Sequence, residues 1–233
     1  MTKPVCAVVG VGPGNGAAFA TRFSEEGFAL ALLARKLEFT SALAAELPGS
    51  KAYPCDVTEL GSIKRAFAAI RQELGEVDVV LYNAGSGSWG TVEEITPQDL
   101  EMAFRVNTTG LLAAAQEVIP AMKAKGQGSI IVVGATASRR GGVKTAAFAP
   151  AKAAQRSLTE SLARHLWPAG VHVSLIIVDG VIDLATTRQR MKDKPESFFI
   201  KATDIAATAF WLSKQPRSAW SFEVEARPFA ENW

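Results

Sequence analysis

The chain has 233 residues, with 25 Lys or Arg against 23 Asp or Glu and a formal net charge of +2. A balance that close to zero argues against a protein whose work is to grip nucleic acid or an anionic membrane, since both need a basic face. At 48% apolar and 21% charged residues the chain can bury a substantial core, and its length fits one large α/β domain, residues 1–233.

Only Cys6 and Cys55 are present, each in or beside an apolar run, so the sequence offers neither a disulfide framework nor a metal-ligand cluster and suits a reducing compartment. The first apolar run, within Met1 to Val9, is cut by Gly10 well before the length of a signal peptide, and no stretch reaches the ~18 apolar residues of a membrane span. The expectation is a cytoplasmic protein with no membrane partner.

Short runs rich in Val, Ile and Leu alternate with longer segments of helical period, the pattern of a parallel sheet buried by helices on both faces. In chain order the predicted strands are Val5 to Val9, Phe28 to Ala34, Ala52 to Cys55, Val77 to Tyr82, Ser129 to Val133, Val171 to Val178 and Phe222 to Ala226. Directly after the first strand comes Gly10-Val11-Gly12-Pro13-Gly14-Asn15-Gly16-Ala17, opening a helix that carries Phe19, Ala20 and Phe23. Glycines there permit a tight turn and let backbone approach a pyrophosphate, while the helix N-terminus faces the phosphates. The same residues would also serve as a glycine-rich turn without a ligand.

Dinucleotide sites select their adenosine end where the second strand closes, and this chain has Ala34-Arg35-Lys36 there. No acid repels a 2′-phosphate and Arg35 can meet it with charge-assisted bonds, which favours NADP(H); the alternative is a pair of solvated cations at a strand end. Further along, Thr58 before Glu59 is a predicted helix cap, and Thr96, Pro97 and Asp99 form another. Pro120 is expected to interrupt the helix running on from Thr109, whereas Pro150 falls near the start of the next long helix, where proline costs least. Tyr82 reads as a packing residue at a strand end, the alternative being a catalytic phenol. His165 and His172 flank Trp167-Pro168 and are expected in surface or cap roles.

Together these motifs resemble those of the short-chain dehydrogenase/reductase family over nearly the whole chain. The family's G-x-x-x-G-x-G falls on Gly10, Gly14 and Gly16, and its adenine-contacting Asp on Asp56 beside Val57. Its N-N-A-G motif appears as Tyr82-Asn83-Ala84-Gly85, its helix-borne Asn as Asn107, and its Y-x-x-x-K as Phe148 to Lys152. Its P-G turn becomes Asp179-Gly180, followed by Val181 and Ile182. The resemblance implies a Rossmann-type doubly wound sheet and a nicotinamide cofactor on Gly10, Gly12, Gly14, Asn15, Gly16, Arg35, Asp56, Val57, Asn83, Ala84, Gly85, Lys152, Gly180 and Ile182. It also implies catalytic roles for Asn107 and Lys152, a substrate lid near residues 183–200, and a homodimer or homotetramer built through the helices near Leu111 to Lys123 and Ala151 to Leu166.

Two departures touch chemistry. The family's tyrosine, which trades a proton with the substrate oxygen, is Phe148, and the serine that hydrogen-bonds that oxygen is Ala135. A positioned general acid contributes roughly 10² to 10⁴ in rate and an oxyanion donor about 10² to 10³, so the ordinary carbonyl reaction should be weak or absent. Thr136, Ser138 and Thr145 are nearby hydroxyls but poor acids; Lys152 is a better proton source if burial and the cofactor lower its pKa, but the role the resemblance implies for its position, and the favoured one, is to hold the nicotinamide ribose. Arg139, Arg140 and Lys144 form a basic cluster beside the expected mouth, either drawing an anionic substrate or standing as a solvated loop. Two functions remain open: an atypical NADP(H)-dependent oxidoreductase acting on an activated carbonyl, imine or conjugated alkene, and a non-catalytic NADP(H)-binding protein read by a partner. A structural subunit without a cofactor is the weakest reading.

Overall fold

The computed structural model describes residues 3–230, so Met1 and Thr2 of the first predicted run lie outside it. Its main sheet has seven parallel strands: β1 (Val5–Val9), β2 (Ala29–Ala34), β3 (Lys51–Pro54), β4 (Val77–Tyr82), β5 (Gly128–Ala135), β6 (Val171–Val178) and, late in the chain, β9 (Glu223–Ala226). The order is β3-β2-β1-β4-β5-β6-β9, so the winding reverses between β1 and β4.

Strand residues alternate between two cores, as a pleat of period two requires. Val5, Ala7 and Val9 of β1 point to one face with Ile63, Phe67 and Ile70 of α3 (Leu60–Glu73), Leu111 and Val118 of α5 (Gly110–Lys125), and Leu162 and Leu166 of α6 (Phe148–Leu166). Cys6 and Val8 point to the other, with Phe19 and Phe23 of α1 (Asn15–Glu25) and Ile205 and Leu212 of α8 (Ala202–Ser213). Each large side chain withdrawn from water stabilises this packing by roughly 1.5–3 kcal/mol. The third strand ends in a surface contact, where Tyr53 donates to Glu73 at 3.2 Å; burial and that carboxylate push the phenol's pKa up.

Several local expectations are corrected. Thr58 does not cap α3; Glu59 is the N-cap residue, because the Asp56 side chain takes both the Thr58 amide (2.9 Å) and hydroxyl (2.7 Å) in an Asx turn. Pro120 lies inside α5 without ending it: the carbonyl it orphans belongs to exposed Gln116, which water can satisfy. That helix starts at Gly110, after α4 (Pro97–Phe104) and a wide π turn over Arg105–Thr109. The predicted cap at Thr96 forms, its hydroxyl accepting from the Asp99 amide and the Asp99 carboxylate accepting from the Thr96 amide. Tyr82 is fully buried and donates to the Val106 carbonyl at 2.6 Å within the π turn, which settles it as a packing residue.

His172 is not at the surface. It is 4% exposed, its ring nitrogens 3.1 and 2.9 Å from the Leu212 and Ser221 carbonyls, and it stacks on Trp220 at 4.8 Å. Burial lowers its pKa. An unforeseen second sheet joins β7 (Val181–Ile182) to β8 (Phe199–Ile200), so the expected lid segment is clasped at its two ends and carries α7 (Ala185–Arg190) between them. The remaining helix, α2 (Leu37–Glu46), follows β2. Among the described residues no helix is long and apolar enough to cross a membrane.

Candidate active site

The reversal of winding between β1 and β4 opens a crevice at the carboxyl ends of the strands, where open parallel sheets bind their ligands. Gly10 turns there with φ +90°, and a Cβ on it would lie 2.5 Å from the backbone of Ala84, so the loop and the end of β4 touch only because that residue is glycine. Asn83 ties the two together, its side chain donating to the Gly10 carbonyl at 2.8 Å and its amide to Val9 at 2.9 Å. A Cβ at Gly16 would stand 2.7 Å from Val11, whereas one at Gly12 would meet nothing within 4 Å and project into open space. Gly14 caps α1 without a side-chain bond, and the buried Asn15 Oδ1 has no partner. The first turn of α1 therefore keeps amide donors for an anion.

This loop borders a cavity of about 600 Å³ whose lining includes Gly12, Arg35, Asp56, Val57 and Ala84. Arg35 is exposed at its rim. The Asp56 carboxyl is held below its usual range, chiefly by the two bonds from Thr58, with the Arg35 charge a smaller contribution. The size, the open Gly12 and the cationic end fit the adenosine and phosphate portions of a dinucleotide.

A second cavity of about 550 Å³ is lined by Ala135, Phe148, Lys152, Trp89, Arg140 and Gly180 among others. The two cavities share Asn15, Gly85, Ser86 and Ile182, so they form one cleft. Lys152 is 5% exposed and donates to the Val133 carbonyl and to Gln155 Oε1, both at 2.9 Å. Burial pulls its pKa down to about 7. Gln155 in turn donates to the Asn107 carbonyl at 2.9 Å. The Asn107 amide group donates to Ser86 (2.9 Å) and Ala103 (2.8 Å), leaving its buried Oδ1 without a partner beside Gly85, whose added Cβ would lie 3.6 Å from that oxygen. The Phe148 ring stands 5.9 Å from the Lys152 ammonium and packs on Gly87 and Trp89.

A model of the short chain dehydrogenase family matches residues 4–195. The chain belongs to that family. A sorbitol dehydrogenase of Cereibacter sphaeroides is 35% identical over 178 residues, covering 76% of this chain and 69% of its own. A solved short-chain dehydrogenase from Rhodopseudomonas palustris superimposes with a TM-score of 0.83 at 29% identity over 97% of this chain and 99% of its own. A metagenomic short-chain oxidoreductase in complex with NADP does so with 0.84 at 26% identity, over 99% of each chain.

In this short-chain dehydrogenase the hydroxyls near Phe148 and Ala135 are already engaged. Thr136 donates to Asp179, Ser138 accepts from the Ala135 amide at 3.1 Å, and Thr145 accepts from the Gly142 amide at 2.7 Å while donating to the Gly142 carbonyl. Thr145 lines the cavity from the loop before α6, not from the helix, which begins at Phe148. The expected cluster of three cations also divides. Arg139 leaves the mouth for Glu223 and Glu225 of β9, while Arg140 stays on the cavity lining.

Gln155 and Trp89 were not singled out from sequence, and Asp179 was read only as part of the turn with Gly180. Gln155 stands three residues after Lys152, hence on the same helix face, and a polar residue on that buried face was the available signal. Asp179, buried and paired with Arg227 at 2.7 Å, has partners far apart in the chain, and no local pattern marks it.

Proposed function

We propose that this chain is an NADP(H)-dependent oxidoreductase that reduces an activated carbonyl, imine or conjugated alkene without the family's phenolic acid. The observation that carries the reading is the continuity of the cleft: the glycine cradle and the Phe148 cavity meet at Asn15, Gly85, Ser86 and Ile182. Gly10, Gly12, Gly14, Asn15 and Gly16 would hold the phosphates, with Asp56, Val57, Asn83 and Ala84 along the adenosine side and Gly85, Gly180 and Ile182 toward the second cavity. Arg35 would meet the 2′-phosphate. The complex of the metagenomic relative with NADP supports that choice. Bound there, the cofactor supplies a hydride.

Lys152 is the chain's own proton source at this point. Two of its three ammonium hydrogens are committed to Val133 and Gln155, which leaves one for the cavity. An acid that titrates near the working pH transfers protons effectively, and burial brings this amine to about 7. Asn107 acts through Gln155 and Ser86 to hold the amine and the loop in register. Phe148 excludes water from the reacting face, and Ala135 makes room where a hydroxyl would otherwise stand. An iminium substrate would need no proton at all.

The decisive measurement is NADPH absorbance against a panel of activated ketones, enones and cyclic imines. Turnover of at least one class is expected. For ketones and enones, kcat should fall as pH rises through about 7 as Lys152 loses its proton, and Lys152→Met should cost roughly 10² or more. Tight NADPH binding with no consumption across the panel would instead favour a cofactor-binding protein without turnover.

A further inference from the structure

The Phe148 cavity is lined by a cation, Arg140, and by the aromatic rings of Trp89 and Phe148. Arg140 keeps 62% of its side chain exposed, and its nearest acid among the described residues is Asp179 at 4.0 Å, beyond hydrogen-bond length. That carboxylate, the ion-pair partner of Arg140, is also met by the Thr136 hydroxyl and by Arg227 at 2.7 Å, so its charge is shared among three groups and is not presented bare to an incoming anion. Arg140 donates no side-chain hydrogen bond to any described residue, and its planar fork of donors suits a carboxylate. The backbone beneath it is fixed: the amides of Arg139 and Arg140 both donate to the Thr136 carbonyl, at 3.0 and 3.3 Å.

On the same cavity Trp89 stands 68% exposed, its ring 5.4 Å from that of Phe148 at an interplanar angle of 34°. The loop that carries it is tied to the other rim, the Gly90 amide donating to the Lys144 carbonyl at 3.0 Å. A tryptophan held this open beside a second ring offers a face on which a flat apolar body can stack.

We propose that the substrate of this site is a planar, aromatic or conjugated molecule bearing a carboxylate, with its flat body against Trp89 and Phe148 and its carboxylate on Arg140. Arg140 is then the specificity-determining residue. The assignment rests on the reading of the cleft as a reductase site and adds the class of molecule that enters it. One guanidinium answers the charge and fork of a monoanionic carboxylate, while a phosphate dianion would call for more donors than this rim supplies.

The test is calorimetric titration with cinnamate and with methyl cinnamate, which share the conjugated ring and differ in charge, with and without saturating NADPH. The acid should bind about tenfold or more tighter than the ester, the range of a charge-assisted bond. That preference should vanish in Arg140→Gln and shrink in high salt. Trp89→Ala should weaken acid and ester together, by roughly threefold or more. Equal binding of acid and ester, a preference that survives Arg140→Gln, or no binding of either overturns the proposal. NADPH titrated into the same samples reports on the cofactor separately: its failure to bind sinks the oxidoreductase reading and leaves the acid preference to be judged alone.

Discussion

The two halves of the cleft are made of different material. The half around Gly10 to Gly16 is backbone: a positive-φ turn, two approaches that a methyl group would close, and a helix end without a side-chain cap. The half around Phe148 is lined mostly by apolar groups, and the hydroxyls of Thr136 and Thr145 on it are engaged with the protein itself. The difference teaches which part of the machine is constrained. Backbone geometry for a pyrophosphate can be met in few ways, so it stays legible as a spacing of glycines; a substrate pocket is rebuilt by exchanging side chains on an unchanged frame.

The comparison breaks most sharply at Gly12. Gly12→Val adds volume to open space, so circular dichroism and thermal unfolding should be close to those of the unaltered chain while NADPH binding falls by about 100-fold or more, as expected when backbone can no longer reach the phosphates. Unchanged binding would mean that the phosphates lie elsewhere. The opposite half is tested by gain: on the proposed reading, in which Lys152 and Asn107 keep their catalytic frame, Ala135→Ser with Phe148→Tyr should raise reduction of simple ketones by roughly 10² or more. Parity with the unaltered chain on simple ketones would mean that the frame no longer matches the family's chemistry.

Arg35→Ala sharpens the first half further. NADPH should lose about tenfold in affinity and NADH almost none, which parallel titrations would read directly. Equal losses would remove Arg35 from the 2′-phosphate. The last test reads stability. The Lys152 amine titrates near 7 when folded and near 10.5 when free, so between those values the unfolded chain binds the extra proton and stability rises with pH. Below about 7 both states are protonated and this contribution is flat. Urea unfolding from pH 6.5 to 9.5 should show the rise in the unaltered chain and less of it in Lys152→Met.

Much of the frame was readable because it is local. The apolar runs gave each main strand to within a few residues, and Thr96 with Asp99 gave a cap, since both signals lie within a single element. What escaped depends on distance along the chain. The arginines and acids around Asp179 come from the turn after β5, the middle of α6, the end of β6 and β9, so only folding brings them together. The π turn escaped for another reason: Val106 gives its carbonyl to Tyr82, a partner on a different element, and helical periodicity holds no trace of it. Arg139 was misjudged in the same way, its neighbour Arg140 pointing to the cavity while it reaches across to the edge strand.

The chain contains two tyrosines, and both phenols are driven upward in pKa, Tyr53 mainly by burial and then by Glu73, Tyr82 mainly by burial. Neither will ionise anywhere near neutrality, so the ultraviolet background at the phenolate band stays constant with pH across the useful range. A tyrosine written into position 148 would thus be the one phenol to titrate in that range, over the pH-invariant absorbance of the five tryptophans, and its ionisation beside the Lys152 ammonium could be followed optically, without a cofactor, a substrate or an isotopic label.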